Sequence, residues 1–198
     1  MKKLHLLFAV LCTILFSLSV SGQSFKKGQL DLNLDLGLGN NLAGPGLTLI
    51  PPISASLEYG ITDDISLGGY LGFAGSVSKY NGSEWCNHGN GVNYNYTDSY
   101  TWTYILIGVR GAYHFGRFIK IDKLDVYAGL MLGNDFAHES YSTTSPCSDH
   151  IRYNDVPYGG FFWSLYGGAR YRFTNRFGVF GELGYGVSYL NIGVNFKF

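Results

Sequence analysis

Apolar and polar residues alternate without a break over the last nine positions of the chain. Leu190, Ile192, Val194, Phe196 and Phe198 hold the even positions, and Asn191, Gly193, Asn195 and Lys197 the odd ones. A period of two puts the two sets on opposite faces of a β-strand. The same pattern predicts seven strands before this one. Strand one sets Leu30, Leu32, Leu34, Leu36 and Leu38 against Gln29, Asp31, Asn33 and Asp35. Strand two sets Ile53, Ala55, Leu57, Tyr59 and Ile61 against Ser54, Ser56 and Glu58. Strand three sets Ile65, Leu67, Gly69, Leu71, Phe73 and Gly75 against Ser66, Tyr70 and Ser76. Strand four sets Ile105, Ile107, Val109, Gly111, Tyr113 and Phe115 against Arg110 and His114. Strand five sets Leu124, Val126, Ala128, Leu130 and Leu132 against Asp125 and Tyr127. Strand six sets Trp163, Leu165, Gly167, Ala169, Tyr171 and Phe173 against Ser164, Arg170 and Arg172. Strand seven sets Phe177, Val179, Gly181, Leu183, Tyr185 and Val187 against Phe180, Glu182 and Ser188. The apolar faces hold no charged residue and no Ser, Thr, Asn, Gln or His.

Connections between these strands alternate in length. Thr62-Asp63-Asp64 and Thr174-Asn175-Arg176 are three-residue turns, and Gly116 to Lys123 forms the third connection on that side. On the other side lie residues 39–51, 78–101 and 134–160, with a tight turn at Ser188-Tyr189. Pro51 and Pro52 fall at the start of strand two, where a missing donor is tolerated. A soluble sandwich has the same period with its apolar faces turned into a core. A membrane barrel turns them out, because a Lys or Arg facing lipid costs roughly 2–4 kcal/mol at mid-bilayer. The aromatic strand ends, the final Phe198 and the alternation of short and long connections favour the membrane reading. The expected fold is all-β, an eight-stranded antiparallel up-and-down transmembrane β-barrel. Its lumen is just wide enough to be filled by side chains.

The N-terminus fits export. Met1-Lys2-Lys3 is a basic start, Leu4 to Val20 is apolar, and small residues precede Gln23. This reads as a signal peptide over 1–22, with cleavage after Gly22, and the barrel domain over 23–198. A membrane anchor is the alternative. Cys12 follows Leu11 inside the apolar stretch and is not a lipid-attachment cysteine. No later segment approaches the roughly 20 apolar residues of a membrane helix. The 28 Gly, 16 Tyr and 14 Phe, with only 14% charged residues, suit short strands, tight turns and aromatic girdles. Without Lys2 and Lys3 the remaining chain has two more acids than bases, so nothing points to nucleic acid.

The final strand resembles the C-terminal strand of bacterial outer-membrane β-barrels. That resemblance implies that Phe198, Phe196 and Val194 form a signal read by the barrel assembly machinery. The whole exported chain resembles the small OmpA/OmpX-type barrels, and in particular the "porin family" outer-membrane barrels of Bacteroidetes-like bacteria. The segments carrying the likeness are Ile53 to Gly60 with Thr62-Asp63-Asp64, Ile65 to Tyr70, Gly108 to Phe115, and Gly181 to Gly186. The resemblance implies location in the outer membrane of a Gram-negative bacterium, contact with its lipid, and no reaction. The resemblance does not extend to the peptidoglycan-binding domain of the full-length OmpA pattern, so no wall-tethering role is expected.

Several constellations could carry chemistry. The inward faces collect Arg110, Arg170, Arg172 and Lys197 against Asp31, Asp35, Glu58, Asp125 and Glu182. Buried charges must be paired, so an interior salt-bridge network is expected, centred on Arg110, Arg170, Glu58 and Glu182 with Arg172 beside it. It reads as a plug, or alternatively as a gated ion path. Cys86 and Cys147 lie in the second and third long loops. In an oxidising compartment they form a disulfide or stay as two thiols. His88, His138 and His150 share those loops with Asp135, Glu139 and Asp149 but lack metal-ligand spacing, so no cofactor is expected. His138-Glu139-Ser140 resembles the His-x-Ser of membrane-embedded lipid A deacylases without the surrounding pattern. Asn81-Gly82-Ser83 and Asn95-Tyr96-Thr97 read as ordinary loop chemistry. The Tyr/Asn/Ser/Gly composition of loops 78–101 and 134–160 suits an adaptable surface for an extracellular ligand; Tyr and Trp also anchor barrels at the interface. The expected function is therefore non-enzymatic: a structural or surface-interaction role through those loops. A narrow channel or porin-type conduit and an outer-rim lipid-modifying enzyme are the alternatives.

Overall fold

The computed structural model describes residues 25–39, 47–86, 92–119, 121–147 and 159–198, with side chains except at 47–49, 86 and 92. Eight strands follow in chain order: β1 Leu30–Leu38, β2 Leu47–Gly60, β3 Ile65–Cys86, β4 Val92–His114, β5 Leu124–Thr143, β6 Phe161–Arg172, β7 Phe177–Tyr185 and β8 Leu190–Lys197. Each pairs antiparallel with its neighbours, and β1 pairs with β8 to close a barrel. The closing seam runs from Asp31 opposite Lys197 to Leu38 opposite Leu190. Closure leaves no unpaired edge, a condition for strands to cross a bilayer.

The two faces are distributed as the alternation predicts. Leu71, Val109 and Leu183 are 55, 58 and 68% exposed on the outside, while Asp31, Glu58, Asp125 and Arg170 are fully buried inside. This is the inverse of a soluble protein, and it excludes the sandwich. The two three-residue turns share one design. Thr62 Oγ1 accepts the N–H groups of Asp64 and Ile65, and Thr174 Oγ1 those of Arg176 and Phe177. The hydroxyl satisfies donors that the tight reversal leaves without a ladder partner.

The structure departs from the sequence reading in four places. Among the described residues the 78–101 connection is strand, and strand also covers 47–51 and 134–143 of the other two long connections. The β3–β4 ladder continues to Cys86 opposite Val92, and β4 pairs with β5 up to Asp98 opposite Thr143. The β3 and β5 extensions mix polar and aromatic residues on each face, whereas β4 alternates, with Tyr94, Tyr96, Tyr100, Trp102 and Tyr104 on one face and Asn93, Asn95, Thr97, Ser99, Thr101 and Thr103 on the other. Pro51 and Pro52 lie inside β2 and not at its start, where the β2–β3 register slips between Ile50 and Ile53. A bulge is where a ladder tolerates residues without an N–H. Val187, expected on the outer face, is 4% exposed and packs inside. β7 ends at Tyr185, and Gly186 (φ +136°) breaks the alternation before Val187; the turn to β8 thus spans Gly186 to Tyr189. Phe115 begins a 3-10 turn over Phe115–Arg117 instead of continuing β4.

Candidate functional site

The lumen is built in layers of inward side chains. At the short-turn end, β1, β6 and β8 bring Asp31, Asn33, Arg170, Arg172 and Asn195 together. Arg170 Nη1 donates to Asp31 (3.0 Å) and Asp125 (3.3 Å), and its Nη2 to Asn33 Oδ1 (3.1 Å). Arg172 Nη2 donates to both oxygens of Asp31 at 3.1 Å. Asn195 Nδ2 donates to Asn33 Oδ1 (2.9 Å), and Gln29 Nε2 to Asp31 (2.6 Å). Phe25, 0% exposed, covers this layer with its ring stacked on His114 at 3.6 Å and 1°. The segment carrying it is held by Gly28 N–H to Gly60 O (2.9 Å) and Gly60 N–H to Gln29 O (2.8 Å). Gly28 has φ +80°, and a Cβ on Gly60 would meet Lys26 O at 2.6 Å, so glycine is required at both.

The next layer is centred on Arg110. Its Nε lies 3.1 Å from Glu58 Oε1 and its Nη2 2.6 Å from Glu182 Oε1, and the guanidinium sits 4.1 Å above the Tyr166 ring. Tyr127 Oη donates to Glu182 (2.9 Å). Glu58 also accepts from Asn33 Nδ2 (2.9 Å) and Ser66 Oγ (3.1 Å). Asn33 joins the layers, accepting from Arg170 while donating to Glu58. Of the residues expected in the network, Arg110, Glu58 and Glu182 touch directly. Arg170 pairs instead with Asp31 and Asp125, and Arg172 with Asp31. Lys197 forms no ion pair among the described residues.

A third set links the layers on the β3–β4–β5 wall. His114 Nδ1 lies 2.9 Å from Asp125 Oδ1, and Nε2 3.0 Å from Ser66 Oγ. A serine, an imidazole and a carboxylate in this order have the geometry of a hydrolase triad. Here Ser66 and His114 are fully buried and Ser66 also faces Glu58. Ser66, His114 and Asp125 thus present almost no accessible surface to a substrate. On the other side of Arg110 a cavity lined by Asp35, Tyr70, Arg110 and Glu182 measures about 20 Å³, room for about one water. Ser66 has a single proton, so it donates to Glu58 or to His114 but not to both.

Beyond Tyr104, Leu106 and Phe162 the extended strands project from the barrel. Tyr100 packs against Tyr80, Trp102 and Tyr141, with centroids 5.0–5.9 Å away. Thr97 joins the hairpin to the end of β5 through Thr144, and Tyr141 Oη donates to Asp98 (3.0 Å). Tyr80, Trp85 and Tyr94 are exposed. Cys147 is disulfide-bonded, while the side chain of Cys86 lies outside the described residues. His138 and Ser140 lie exposed on one face of β5 and Glu139 points to the other. His88, Asp149 and His150 lie outside the described residues. Among the described residues no three His, Cys, Asp or Glu side chains converge on one point. At the end of the chain Phe196 packs on Phe177 (5.5 Å), and Val194 pairs with Leu34 and Val179. The Phe198 ring is 72% exposed.

The network residues missing from the sequence reading are Asn33, Asn195, Tyr166 and the covering Phe25. Asn33, Asn195 and Tyr166 sit at inward phase positions, which is a usable signal. Phe25 precedes the first strand and carries none.

No protein-family model matches the chain, and no curated protein matches it in sequence. Its fold is that of solved small transmembrane barrels. The chain is similar to the N-terminal β-barrel domain of Pseudomonas aeruginosa OprF, with 14% identity and TM-score 0.50 over 87% of this chain and 98% of that one. It is also similar to Ail, the attachment invasion locus protein of Yersinia pestis, with 10% identity and TM-score 0.44 over 87% and 99%. The likeness to the OprF barrel shows the fold, a β-barrel, which the closed ring of eight strands defines.

Proposed function

We propose that this chain is an integral outer-membrane protein of a Gram-negative bacterium that acts through its surface and not as a pore or an enzyme. The carrying observation is the lumen. Arg110 and Arg170 each bridge carboxylates on two other strands across it, Arg172 reaches Asp31, Phe25 covers its short-turn end, and the space left near Arg110 is about one water in volume. An ion would have to displace several buried, charge-assisted contacts to pass. The β3–β4–β5 projection, with Tyr80, Trp85 and Tyr94 exposed, supplies rigid aromatic contacts beside adaptable polar ones for an extracellular ligand. In this reading residues 1–22 are removed on export, the short turns face the periplasm, and Phe198, Phe196 and Val194 engage the assembly machinery. Cys147 pairs with Cys86 to tie the two projecting segments together.

The test joins three measurements. Outer membranes are run on SDS gels with and without boiling, intact cells are treated with protease, and the purified barrel is recorded in a planar bilayer. Expected are a heat-modifiable band, cleavage confined to 78–101 and 134–160, and no stable conductance. Large, steady conductance would replace the surface role with the channel reading. A soluble protein without a mobility shift would overturn the membrane assignment.

A further inference from the structure

At the short-turn end a cavity of about 630 Å³ is lined by Lys26, Asp122, Lys123, Arg172, Phe173, Thr174, Asn175 and Lys197. It draws on four separate parts of the chain: the segment before β1, the approach to β5, the end of β6 with the β6–β7 turn, and the end of β8. The charges there do not balance. Deeper in the lumen Arg170 and Arg172 are matched by Asp31 and Asp125. The lining above them keeps Lys26, Lys123 and Lys197 against Asp122 alone. Among the described residues, no carboxylate, the C-terminal one included, forms an ion pair with any of these three lysines. Lys197 is half-buried and within electrostatic reach of Arg172 and Lys26, and also of Asp31 and Asp125, the two carboxylates already engaged by Arg170 and Arg172. Lys26 and Lys123 stand exposed at the rim and Lys197 half-buried within it, so three like charges around one concave space raise a positive potential there.

We infer that this mouth is a binding site for a phosphate-bearing ligand. A phosphate has the charge and the acceptor oxygens to satisfy several ammonium groups at once, and Lys is a phosphate binder by point charge. A single carboxylate would leave the excess in place. Phe173 forms part of the same lining and stands on the outer face, beside Tyr171 and Phe177. The cavity thus reaches from the lumen mouth to the membrane rim. Two sources present the same chemistry there: a soluble phosphate compound and the headgroup of a neighbouring anionic phospholipid.

The experiment separates them. The chain is folded in a nonionic detergent and titrated with inorganic pyrophosphate by calorimetry. In parallel it is placed in nanodiscs of phosphatidylcholine with a minor share of phosphatidylglycerol, and the lipid retained on ejection is counted by native mass spectrometry. Wild type should hold one equivalent in at least one arm. The double variant Lys26→Gln/Lys197→Gln should bind about tenfold more weakly or lose the retained lipid, the sum of two partly solvated charge-assisted contacts. Lys79→Gln, on β3 near the opposite end of the barrel, should bind as wild type does. Binding of pyrophosphate alone assigns a soluble ligand, and retention of phosphatidylglycerol alone a headgroup. No binding in either arm, or equal weakening by Lys79→Gln, overturns the site. A heat-modifiable band for each variant verifies that the barrel has formed.

Discussion

Replacing Arg110 by Met tests whether the interior ion pairs hold the barrel together. Met approximates the length of the side chain and removes its charge. Arg110 is buried and bridges Glu58 and Glu182 at 3.1 and 2.6 Å. Once it is gone the two carboxylates fare differently. Glu58 keeps hydrogen bonds from Asn33 and Ser66, whereas Glu182 keeps only that from Tyr127. Breaking a buried pair by removing one partner costs about 3–5 kcal/mol, most of it from the charge left behind. Arg110→Met should therefore cost about 4 kcal/mol, roughly a thousandfold in the folding equilibrium. Adding Glu182→Gln should return about 2 kcal/mol, because it neutralises the poorer-satisfied orphan, while Glu182→Gln alone should be destabilising. This reversal of sign is a coupling of contacting residues. The assay is urea unfolding of the barrel in phosphocholine micelles, followed by tryptophan fluorescence and by the heat-modifiable band, under conditions where folding and unfolding branches coincide. A loss under about 1 kcal/mol for Arg110→Met, or an equal cost of Glu182→Gln in both backgrounds, would refute the reasoning.

Leu71→Arg places a charge on the outer face, where Leu71 is exposed. It should cost about 2–4 kcal/mol in a bilayer and far less in an aqueous comparison, and bilayer-folding titrations read the difference. Phe198→Ala removes an exposed ring while leaving the Phe198 N–H on Leu30 O. Stability in micelles should change by under about 0.5 kcal/mol, yet the yield of folded barrel in cell outer membranes should fall; equal yields would disprove an assembly signal. Intact mass without reductant should be lower than the reduced mass by two hydrogens, and lysis by trypsin should leave the peptides of Cys86 and Cys147 joined. Phe25→Ala should destabilise by about 3–5 kcal/mol as a buried ring is lost; a cost below 1 kcal/mol would show that the stacking on His114 is incidental.

The strand count, the outward faces apart from Val187, and the inward position of every network charge follow from the sequence alone. The reason is local: a strand alternates by two, and lipid excludes polar groups from one face, so chemistry and periodicity coincide. Leu71 and Arg110 are each assigned by phase without knowledge of their neighbours. Pairing within the lumen is different. Arg170 and Asp31 are 139 positions apart in the chain and meet only because β1 closes on β8 and both strands start their registers at defined turns. Phase tells that both point inward; barrel stagger decides that Arg170 reaches Asp31 and Asp125 while Arg110 takes Glu58 and Glu182. The projecting parts of β3 and β5 carry no apolar stripe because water meets both faces while backbone pairing persists; in β4 the alternation of Tyr94, Tyr96, Tyr100, Trp102 and Tyr104 with Asn, Thr and Ser is a legible strand signal in a segment assigned to a loop. Val187 and Phe25 entered the interior through a glycine conformation and a chain reversal, which leave no periodic trace. Thus one-dimensional patterning determined which face each residue takes, and the three-dimensional closure of the sheet decided which partner it meets.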